Sequence, residues 1–362
     1  MFRLASLLLV SLVAIGATYS ARLAGTPVLP ETPYDYESIG LPSHLDVNWV
    51  RKWDNTPDDN PITNAGATLG RVLFYDVRLS RNETVSCATC HQQEHGFSDP
   101  EPLSVGFLGK TTSRNSMGLA FARFDSNRRF FWNIRARSLE HLALEPIQDP
   151  IEMGMTLDDL TARLETTDFY PDLFDDAFGT PEVTSERVAQ ALSQFIRTIV
   201  TTNTRYDAAR EAQGGMHGRQ MPGLTDQENQ GLQLFVDRGC QGCHMGDLFV
   251  GTGPTNNGLD SIPDPETFIG RFKTVSLRNV ALTAPYMHDG RFETLEDAID
   301  HYSTGIRANR GLDARLLGLD GPLLRNFSDE ETAALVAFLE TLTDTTLATD
   351  PRWSNPFQEA AD

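Results

Sequence analysis

Apolar residues recur three and four positions apart in several stretches of the chain. The clearest stripes are formed by Val188, Leu192, Phe195, Ile196 and Ile199, and by Leu335, Phe338, Leu339 and Leu342. Residues at this spacing lie on one face of an α-helix, so each stripe predicts a helix with a buried face. The strict alternation of apolar and polar residues that indicates strands is scarce. The pattern therefore predicts a mainly α fold.

Four helix starts are marked by Ser or Thr followed three residues later by Asp or Glu. The pairs are Thr156 and Asp159, Thr225 and Glu228, Thr294 and Asp297, and Ser328 and Glu331. In such a capping box, side chains satisfy backbone N–H groups that the first helical turn leaves unpaired. We therefore predict helices that begin directly after these four residues.

A pattern G-x-x-L-F-x-D occurs twice, at residues 70–76 and 231–237, and each copy precedes a C-x-x-C-H motif, at 87–91 and 240–244. This weak internal repeat suggests two units of common design. The Gly- and Gln-rich stretch 211–223 is the best candidate linker. We predict an N-terminal unit over residues 23–212, a C-terminal unit over 224–345 and a tail over 346–362.

C-x-x-C-H is the attachment signature of a c-type haem, because both thiols can form thioethers to haem vinyl groups while the adjacent histidine reaches the iron. A zinc site, a redox pair and a structural disulfide are the alternatives for a single C-x-x-C. Two copies that share the histidine and use every cysteine favour haem. The predicted haem-binding residues are Cys87, Cys90, His91, Cys240, Cys243 and His244.

The amino terminus predicts export. Residues 1–20 contain Arg3 and an apolar run that ends in small residues, and this run is too short to span a bilayer comfortably. A cleaved signal peptide over 1–20 is therefore favoured over an uncleaved anchor. Because c-type haems are generally attached outside the bacterial cytoplasm, we expect a periplasmic protein.

The length and composition suit a globular protein of two domains. The chain has 362 residues, of which 40% are hydrophobic and 22% charged, and its formal net charge is −20. This charge argues against nucleic acid as a partner, since phosphate binding requires clustered Lys and Arg. An acidic surface suits solubility, and it also favours the electrostatic steering of a basic electron-donor protein.

From about residue 70 to residue 344 the chain resembles the bacterial di-haem cytochrome c peroxidases and their MauG-like relatives. The resemblance is carried by LFYD at 73–76, FW at 131–132, EMG at 152–154, SLRN at 276–279 and APYMHDG at 284–290, with Arg114, Asn115 and Pro146. It implies two cytochrome c-like haem domains packed with an interface between them. The N-terminal haem would react with hydrogen peroxide and the C-terminal haem would relay electrons.

The resemblance assigns Glu152 as the distal acid–base group, with a solvated loop carboxylate as the alternative. Pro146 matches a distal-pocket proline, or is a plain turn proline. Leu142 stands where the family has a glutamine. Phe107 stands where classical members carry a blocking histidine, so the resting peroxide site should be open and five-coordinate, unless His95 substitutes as a ligand.

At the second haem, the resemblance places Tyr302 at the ligand position that classical peroxidases fill with methionine and MauG-like members with tyrosine. Tyr302 would lie on the helix opened by Thr294, where a core tyrosine is the alternative. Met287 and His301 are rival ligands. A phenolate ligand would lower the reduction potential of this haem.

Trp132 occupies the inter-haem tryptophan position of the family, where an aromatic ring can pass electrons; as a core residue it would also be buried. The family binds a calcium ion between its domains. The residues that match its ligands are Asn115, Thr283 and Pro285. Because family members are often dimers, the resemblance also suggests a homodimer.

Three functions follow from these residues. The leading one is a periplasmic peroxidase that takes electrons from a small donor protein, either a c-type cytochrome or a cupredoxin. The second is a MauG-like enzyme that uses peroxide to oxidise a residue of a partner protein. The third is a di-haem electron carrier, which would need two saturated irons and no Glu152.

Overall fold

The computed structural model describes residues 25–214 and 220–357, and this part of the chain consists of helices joined by long loops. The predicted signal peptide and the middle of the predicted linker lie outside these ranges. The helices within them are α1 (Asn48–Trp53), α2 (Asn64–Tyr75), α3 (Cys87–Cys90), α4 (Leu139–Gln148), α5 (Leu157–Glu165), α6 (Tyr170–Phe178), α7 (Ser185–Thr198), α8 (Arg205–Ala212), α9 (Asp226–Asp237), α10 (Leu295–Asp300) and α11 (Asp329–Glu340). No helix in the described ranges is long and apolar enough to cross a membrane.

One small sheet is present in the described chain. Strand β1 (Leu317–Gly318) pairs antiparallel with β2 (Gly321–Pro322), with Leu317 opposite Pro322. The prediction of a mainly α fold is confirmed, since these four residues are the only paired strands there.

The predicted helix starts are confirmed. All four Ser and Thr side chains accept a hydrogen bond from the backbone N–H three residues on, and helices α5, α9, α10 and α11 begin one residue after them. In three cases the acidic side chain also bonds back to the cap. At α5 the Thr156 hydroxyl instead donates to the Asp159 carboxylate at 2.7 Å.

The end of α10 differs from the prediction. The α-helix ends at Asp300, and residues His301–Gly305 form a π-helical turn. Tyr302 therefore lies on a π turn and not on the regular face expected from Thr294. Single π turns inside helices are frequent at functional sites.

The internal repeat is visible as two matching helix pairs, α2 with α7 and α9 with α11. A Cβ atom at Gly70 would lie 2.0 Å from the Ala191 carbonyl oxygen, and one at Gly231 would lie 1.9 Å from that of Ala334. In each pair, the two helix backbones are in contact at a glycine, because a side chain at that position would keep them apart. The repeat that the sequence suggested is confirmed at the level of helix packing.

Matching phenylalanines fill the space beside each helix pair. The Phe74 ring lies 5.9 Å from the Phe97 ring and 5.2 Å from the Phe195 ring. The same three positions in the second pair are held by Phe235, Phe249 and Phe338, with separations of 5.8 and 5.4 Å from Phe235. Both cores therefore have the same aromatic centre.

Two segments pack into cores to which the sequence analysis did not assign them. Tyr206 and Ala209 of α8, which we assigned to the N-terminal unit, are buried in the second core. Leu347 and Trp353, from the segment that we set apart as a tail, are buried in the first core. The chain leaves the first core before α8 and returns to it after α11. The domain boundaries themselves stay a prediction.

Candidate active site

The first C-x-x-C-H motif borders a cavity of about 570 Å³. This volume lies in the range of cofactor sites. The cavity is lined by predicted site residues from four separate stretches of sequence, namely Cys87, Cys90, His91, Asn115, Trp132, Pro146 and Glu152. A larger cavity of about 670 Å³ borders His244 but neither Cys240 nor Cys243.

Both motif histidines are oriented by a backbone carbonyl. The Nδ1 atom of His91 lies 2.9 Å from the carbonyl oxygen of Phe97, and that of His244 lies 3.3 Å from the carbonyl oxygen of Phe249. A carbonyl can only accept, so Nδ1 carries the proton and Nε2 keeps the lone pair that an iron requires. Burial lowers the pKa of both imidazoles, to about 4 for His244, which keeps them neutral.

The four thiols fit covalent haem attachment better than the alternatives. Burial raises the pKa of Cys87 to about 12 and the pKa values of Cys90 and Cys240 to about 11, so these three thiols are neutral before any group is attached to them. Within residues 25–214 and 220–357, no group of three or more His, Cys, Asp or Glu side chains is arranged to hold a metal ion. None of the four cysteines is in a disulfide.

Glu152 faces the cavity from the loop that follows α4. Burial raises the pKa of its carboxyl to about 7, and the nearby charge of Asp149 adds to the rise. The Arg135 guanidinium opposes it, while Glu145 adds further negative charge. A carboxyl that titrates near neutral pH can both accept and return a proton, as a general acid–base group must. This setting disfavours a plain solvated carboxylate.

Asp149 fixes the loop that carries Glu152. Its Oδ1 accepts hydrogen bonds from the backbone N–H of Ile151 at 2.7 Å and of Glu152 at 3.1 Å. Its backbone carbonyl accepts from Gly154 at 2.8 Å. The Glu152 loop is therefore tied to the carboxyl end of α4 by a short chain of hydrogen bonds.

Helix α4 forms one wall of the cavity through Leu142 and Pro146. Pro146 lies inside the helix, so it is not the turn proline of the alternative interpretation. Its missing N–H leaves the Leu142 carbonyl without the usual helical partner. Both side chains are apolar, so neither side chain offers a hydrogen bond to a ligand.

Phe107 does not line this cavity, and neither does His95. The Phe107 ring lies over Gly154, where an added Cβ would come within 2.3 Å of it. Its backbone is held by hydrogen bonds to Glu152 and from the Asn82 side chain, at 3.0 and 2.8 Å. Residue 107, which the family resemblance matches to a histidine ligand of the iron, is therefore a phenylalanine whose ring packs against Gly154.

Trp132 joins the two halves of the molecule. Its indole N–H donates to the Asn115 carbonyl at 2.8 Å, and its own carbonyl accepts from the Lys273 backbone N–H at 2.8 Å. Val275, two residues further on, lines the His91 cavity and also lies against the His244 ring through its backbone. A short covalent and hydrogen-bonded path thus runs from Trp132 to His244.

The three candidate ligands for the second haem gather around Asn257. Its side-chain amide lies 3.4 Å from the Tyr302 hydroxyl and 3.5 Å from the Met287 sulfur, and its carbonyl oxygen lies 3.0 Å from His301 Nε2. His301 is thereby satisfied by the backbone. Burial raises the pKa of Tyr302 to about 12, and its ring is close enough to Cys240 and Cys243 for their charges to act on it.

The predicted calcium residues lie at the junction of the two halves. The Asn115 side-chain amide donates to the carbonyls of Glu101 and Pro102 at 3.4 and 3.3 Å, and its backbone N–H donates to the His288 carbonyl at 2.9 Å. The Thr283 hydroxyl donates to the Val280 carbonyl at 3.2 Å. Calcium binding at Asn115, Thr283 and Pro285 stays a prediction.

Sequence reasoning missed five charged residues that line the His91 cavity, and two of them are Asp125 and Lys273. These two form a buried ion pair, and the Lys273 ammonium also donates to the Arg129 carbonyl at 2.8 Å. Both stand in loops without periodicity, 148 residues apart by their numbers. No local pattern could have paired them.

The comparisons with known proteins show the family to which the chain belongs. The family model described as di-haem cytochrome c peroxidase matches residues 64–214. The methylamine utilization protein MauG of Methylorubrum extorquens is 35% identical over 301 residues, which cover 79% of this chain and 80% of that protein. The cytochrome c551 peroxidase of Pseudomonas aeruginosa is 36% identical over 258 residues, which cover 66% and 72% of the two chains.

Solved structures show the same architecture. The crystal structure of a MauG-like protein associated with microbial copper homeostasis superposes with a TM-score of 0.74 at 32% identity, covering 88% of this chain and 99% of that one. The chain therefore belongs to the di-haem cytochrome c peroxidase family, and it is an oxidoreductase whose family uses haem. Relatives with the peroxidase and the MauG names both match, so the family alone does not choose between these activities.

Proposed function

We propose that this protein is a periplasmic di-haem c-type peroxidase that reduces hydrogen peroxide. Electrons would enter at the haem held by His244 and pass to the haem held by His91. The observation that carries the proposal is the presence of His91 and Glu152 in one cavity, with burial raising the pKa of the Glu152 carboxyl to about 7.

Each turnover consumes one hydrogen peroxide, two electrons and two protons and releases two waters. The bound haem supplies a redox-active iron and the position at which peroxide binds. His91 offers Nε2 to that iron. Glu152 accepts the proton from the nearer peroxide oxygen and returns it to the departing oxygen, which leaves as water, and the two protons that the second water requires come from solvent. Leu142 and Pro146 form an apolar wall, and their side chains offer no hydrogen bond to the peroxide.

The electron path is supported by the placement of Trp132. Its ring lies in the His91 cavity, and its backbone is bonded to the segment that reaches the His244 ring. We therefore assign Trp132 as the group through which electrons cross between the two sites. The donor would be a small c-type cytochrome or cupredoxin, and the net charge of −20 favours a basic one.

A MauG-like activity is the second candidate, because Phe107 and Tyr302 both depart from the classical peroxidase pattern in the MauG direction. In this case peroxide would oxidise both haems, and a residue of a partner protein would then supply the electrons. A pure electron carrier is disfavoured by the acid–base carboxyl of Glu152 beside an apolar wall. A bound calcium ion and a homodimer are further parts of the proposal that rest on the family resemblance.

The test is to add hydrogen peroxide to the purified di-haem protein and to follow both haem spectra, with and without a reduced small cytochrome. Rapid oxidation of the cytochrome supports the peroxidase. A long-lived doubly oxidised protein that does not turn over the donor supports the MauG-like activity. If neither haem reacts with peroxide, both proposals are wrong and the electron carrier remains.

A further inference from the structure

The cavity of about 670 Å³ beside His244 takes no part in the function proposed above. Among the described residues, neither cysteine of the second motif nor Tyr302 lines it, so it is separate from the space where the candidate ligands of the second iron meet. Its volume lies in the range of small-ligand sites. Exposed residues at its rim, Ser43 and Gln233 among them, open it to solvent.

The wall of this cavity suits a neutral aromatic ligand. Arg210 and Asp247 face it as a pair, with two guanidinium nitrogens donating to the carboxylate at 3.1 and 3.0 Å, so their charges cancel. Flat rings pack well against other aromatic rings. Four aromatic side chains line the cavity, namely Trp49, Tyr206, Phe235 and Phe249.

Trp49 connects the rim of the cavity with the second motif. The residue is 36% exposed, and a Cβ atom at Gly246, two residues after His244, would lie 2.6 Å from its ring. A ligand that enters beside Trp49 is therefore held next to the loop of the second motif, in a cavity that His244 itself lines.

A histidine in the wall has one ring nitrogen without a partner. The His44 side chain is 2% exposed, and within residues 25–214 and 220–357 its Nδ1 atom makes no hydrogen bond. Its Nε2 atom lies 2.8 Å from Oδ1 of Asp207, which also accepts from the Arg278 guanidinium at 2.7 Å. A carboxylate can only accept, so Nε2 carries the proton and Nδ1 of the neutral ring keeps its lone pair. An imidazole held in this way can act as a general base.

We propose that this cavity binds a hydroquinone, an aromatic ring with two hydroxyl groups, as a further electron donor, and that His44 accepts its protons. Peroxide reduction consumes two electrons and two protons, and a hydroquinone releases both as it becomes a quinone. The electrons pass one at a time to the site at His244. As each O–H bond breaks in turn, its proton moves to Nδ1 of His44 and from there to solvent. Hydroquinone and hydrogen peroxide thus become a quinone and two waters. This inference rests on the proposed function, since it takes the His244 haem as the point of electron entry.

The experiment follows the haem-loaded protein by stopped-flow absorption, without oxygen and without peroxide. Tetramethylhydroquinone is mixed with the oxidised protein and the matching quinone with the reduced protein, so that one direction proceeds whatever the potential of the haem. We expect a rate that saturates as the concentration of the ligand rises, because the ligand occupies a site. Dithionite and ferricyanide, which exchange electrons without protons, supply the reference rates.

His44→Gln tests the base, since glutamine keeps an N–H donor for Asp207 but cannot take up a proton. Its limiting rate with the ligand, divided by its reference rate, should fall by about 10²-fold, as expected for the loss of a general base. A purely structural effect would lower both rates together and leave the ratio unchanged. His141→Gln, at an exposed histidine outside the cavity, is the control and should keep the ratio of the wild type.

Gln233→Trp tests the place of binding, because it adds a large ring at the rim of the cavity. It should raise the ligand concentration at half-saturation by about tenfold, which corresponds to the loss of one good contact. Gln230→Trp makes the same change at an exposed position of α9 that does not line the cavity, and it should leave the half-saturation where it is.

The inference is overturned if neither direction reacts, if the rate rises linearly with the ligand, or if His44→Gln changes the ratio no more than His141→Gln. If His44→Gln does not fold, Gln233→Trp decides, and a half-saturation equal to that of Gln230→Trp overturns the proposal. A protein that exchanges electrons with the ligand at a saturable site but does not reduce peroxide counts against the proposed function alone. A peroxidase that works with a reduced cytochrome but shows no saturable exchange counts against this inference alone.

Discussion

The backbone N–H of Phe107 donates a hydrogen bond to the backbone carbonyl of Glu152 at 3.0 Å. The loop that carries Phe107 is therefore tied to the loop that carries Glu152, the proposed acid–base group. The approach is close, since a Cβ at Gly106 would lie 1.7 Å from the Ile151 carbonyl oxygen. Phe107 stands where a histidine ligand would be expected. Its effect on the iron and the chemistry of Glu152 can be tested in separate experiments.

The resting enzyme should contain an open, high-spin ferric haem at His91. Phenylalanine cannot bind iron, and the Phe107 ring lies over Gly154, outside the residues that line the cavity. Peroxide should consequently react with the fully oxidised protein without prior reduction. Resonance Raman and electron paramagnetic resonance spectra of the resting protein check this. A fully low-spin spectrum with two histidine ligands would show that another residue, such as His95, blocks the site.

Replacing Glu152 with Gln should leave both haems attached and lower kcat for peroxide reduction by about 10²–10⁴-fold, the usual contribution of a general acid–base group. Glutamine keeps the size of the side chain but cannot carry the proton. Stopped-flow kinetics with a reduced cytochrome measures the loss. Glu165→Gln, on the exposed face of α5, is the matched control. A Glu152→Gln enzyme with the activity of the control would remove Glu152 from the mechanism.

The rate should fall as the pH decreases through about 7. Burial raises the pKa of Glu152 to about 7, so the carboxylate that accepts the peroxide proton is lost below neutral pH. Arg135→Leu removes a charge that lowers this pKa, and the acid limb should move to higher pH. Glu145→Gln removes a charge that raises it, and the limb should move to lower pH. Profiles of kcat/KM that do not move in these opposite directions contradict the assignment.

If Tyr302 ligates the second iron, replacing it with Met should raise the reduction potential of the His244 haem, because a phenolate stabilises the ferric state more than a thioether does. Tyr302→Phe should remove the ligand and change the spectrum of the same haem. Redox titration and absorption spectra measure both effects. If Tyr302→Phe leaves the spectrum unchanged, Tyr302 is a core residue that bonds to Asn257, and Met287 becomes the leading ligand.

The glycines at the helix crossings should be intolerant of any side chain. Gly70→Ala should lower the free energy of unfolding by about 1–3 kcal/mol, since overpacking forces backbones apart. The clash is with the Ala191 backbone, which cannot rotate away. Gly253→Ala is the control, because no heavy atom lies within 4 Å of a Cβ at that position. Denaturant midpoints that are equal for the two variants would show that α2 and α7 can separate without cost.

The sequence predicted those features that have a local signature. The N-cap at Thr225 and the helix after it follow from residues three positions apart, and the motif at 240–244 predicts a haem site by spacing alone. Glu152 was found through a family motif rather than by its chemistry. The raised pKa of its carboxyl comes from burial, Asp149 and Glu145, and only the folded chain brings these together.

Features made by distant residues had no such signature. Asn257 lies in a loop and belongs to no motif in the sequence. The structure places it among Tyr302, Met287 and His301. The π turn that carries Tyr302 was missed because the period of α10 continues smoothly in the sequence.

The return of residues 347–353 to the first core has a consequence for the order in which the molecule is completed. Leu347 and Trp353 are fully buried there, and the backbone carbonyl of Trp353 accepts a hydrogen bond from the Tyr75 hydroxyl at 2.6 Å. A chain that emerges amino end first cannot make these contacts until residues 347–353 have appeared. The core that is synthesised first is therefore completed only after the residues of the second core have emerged, and its cysteines remain beside an incomplete core until then.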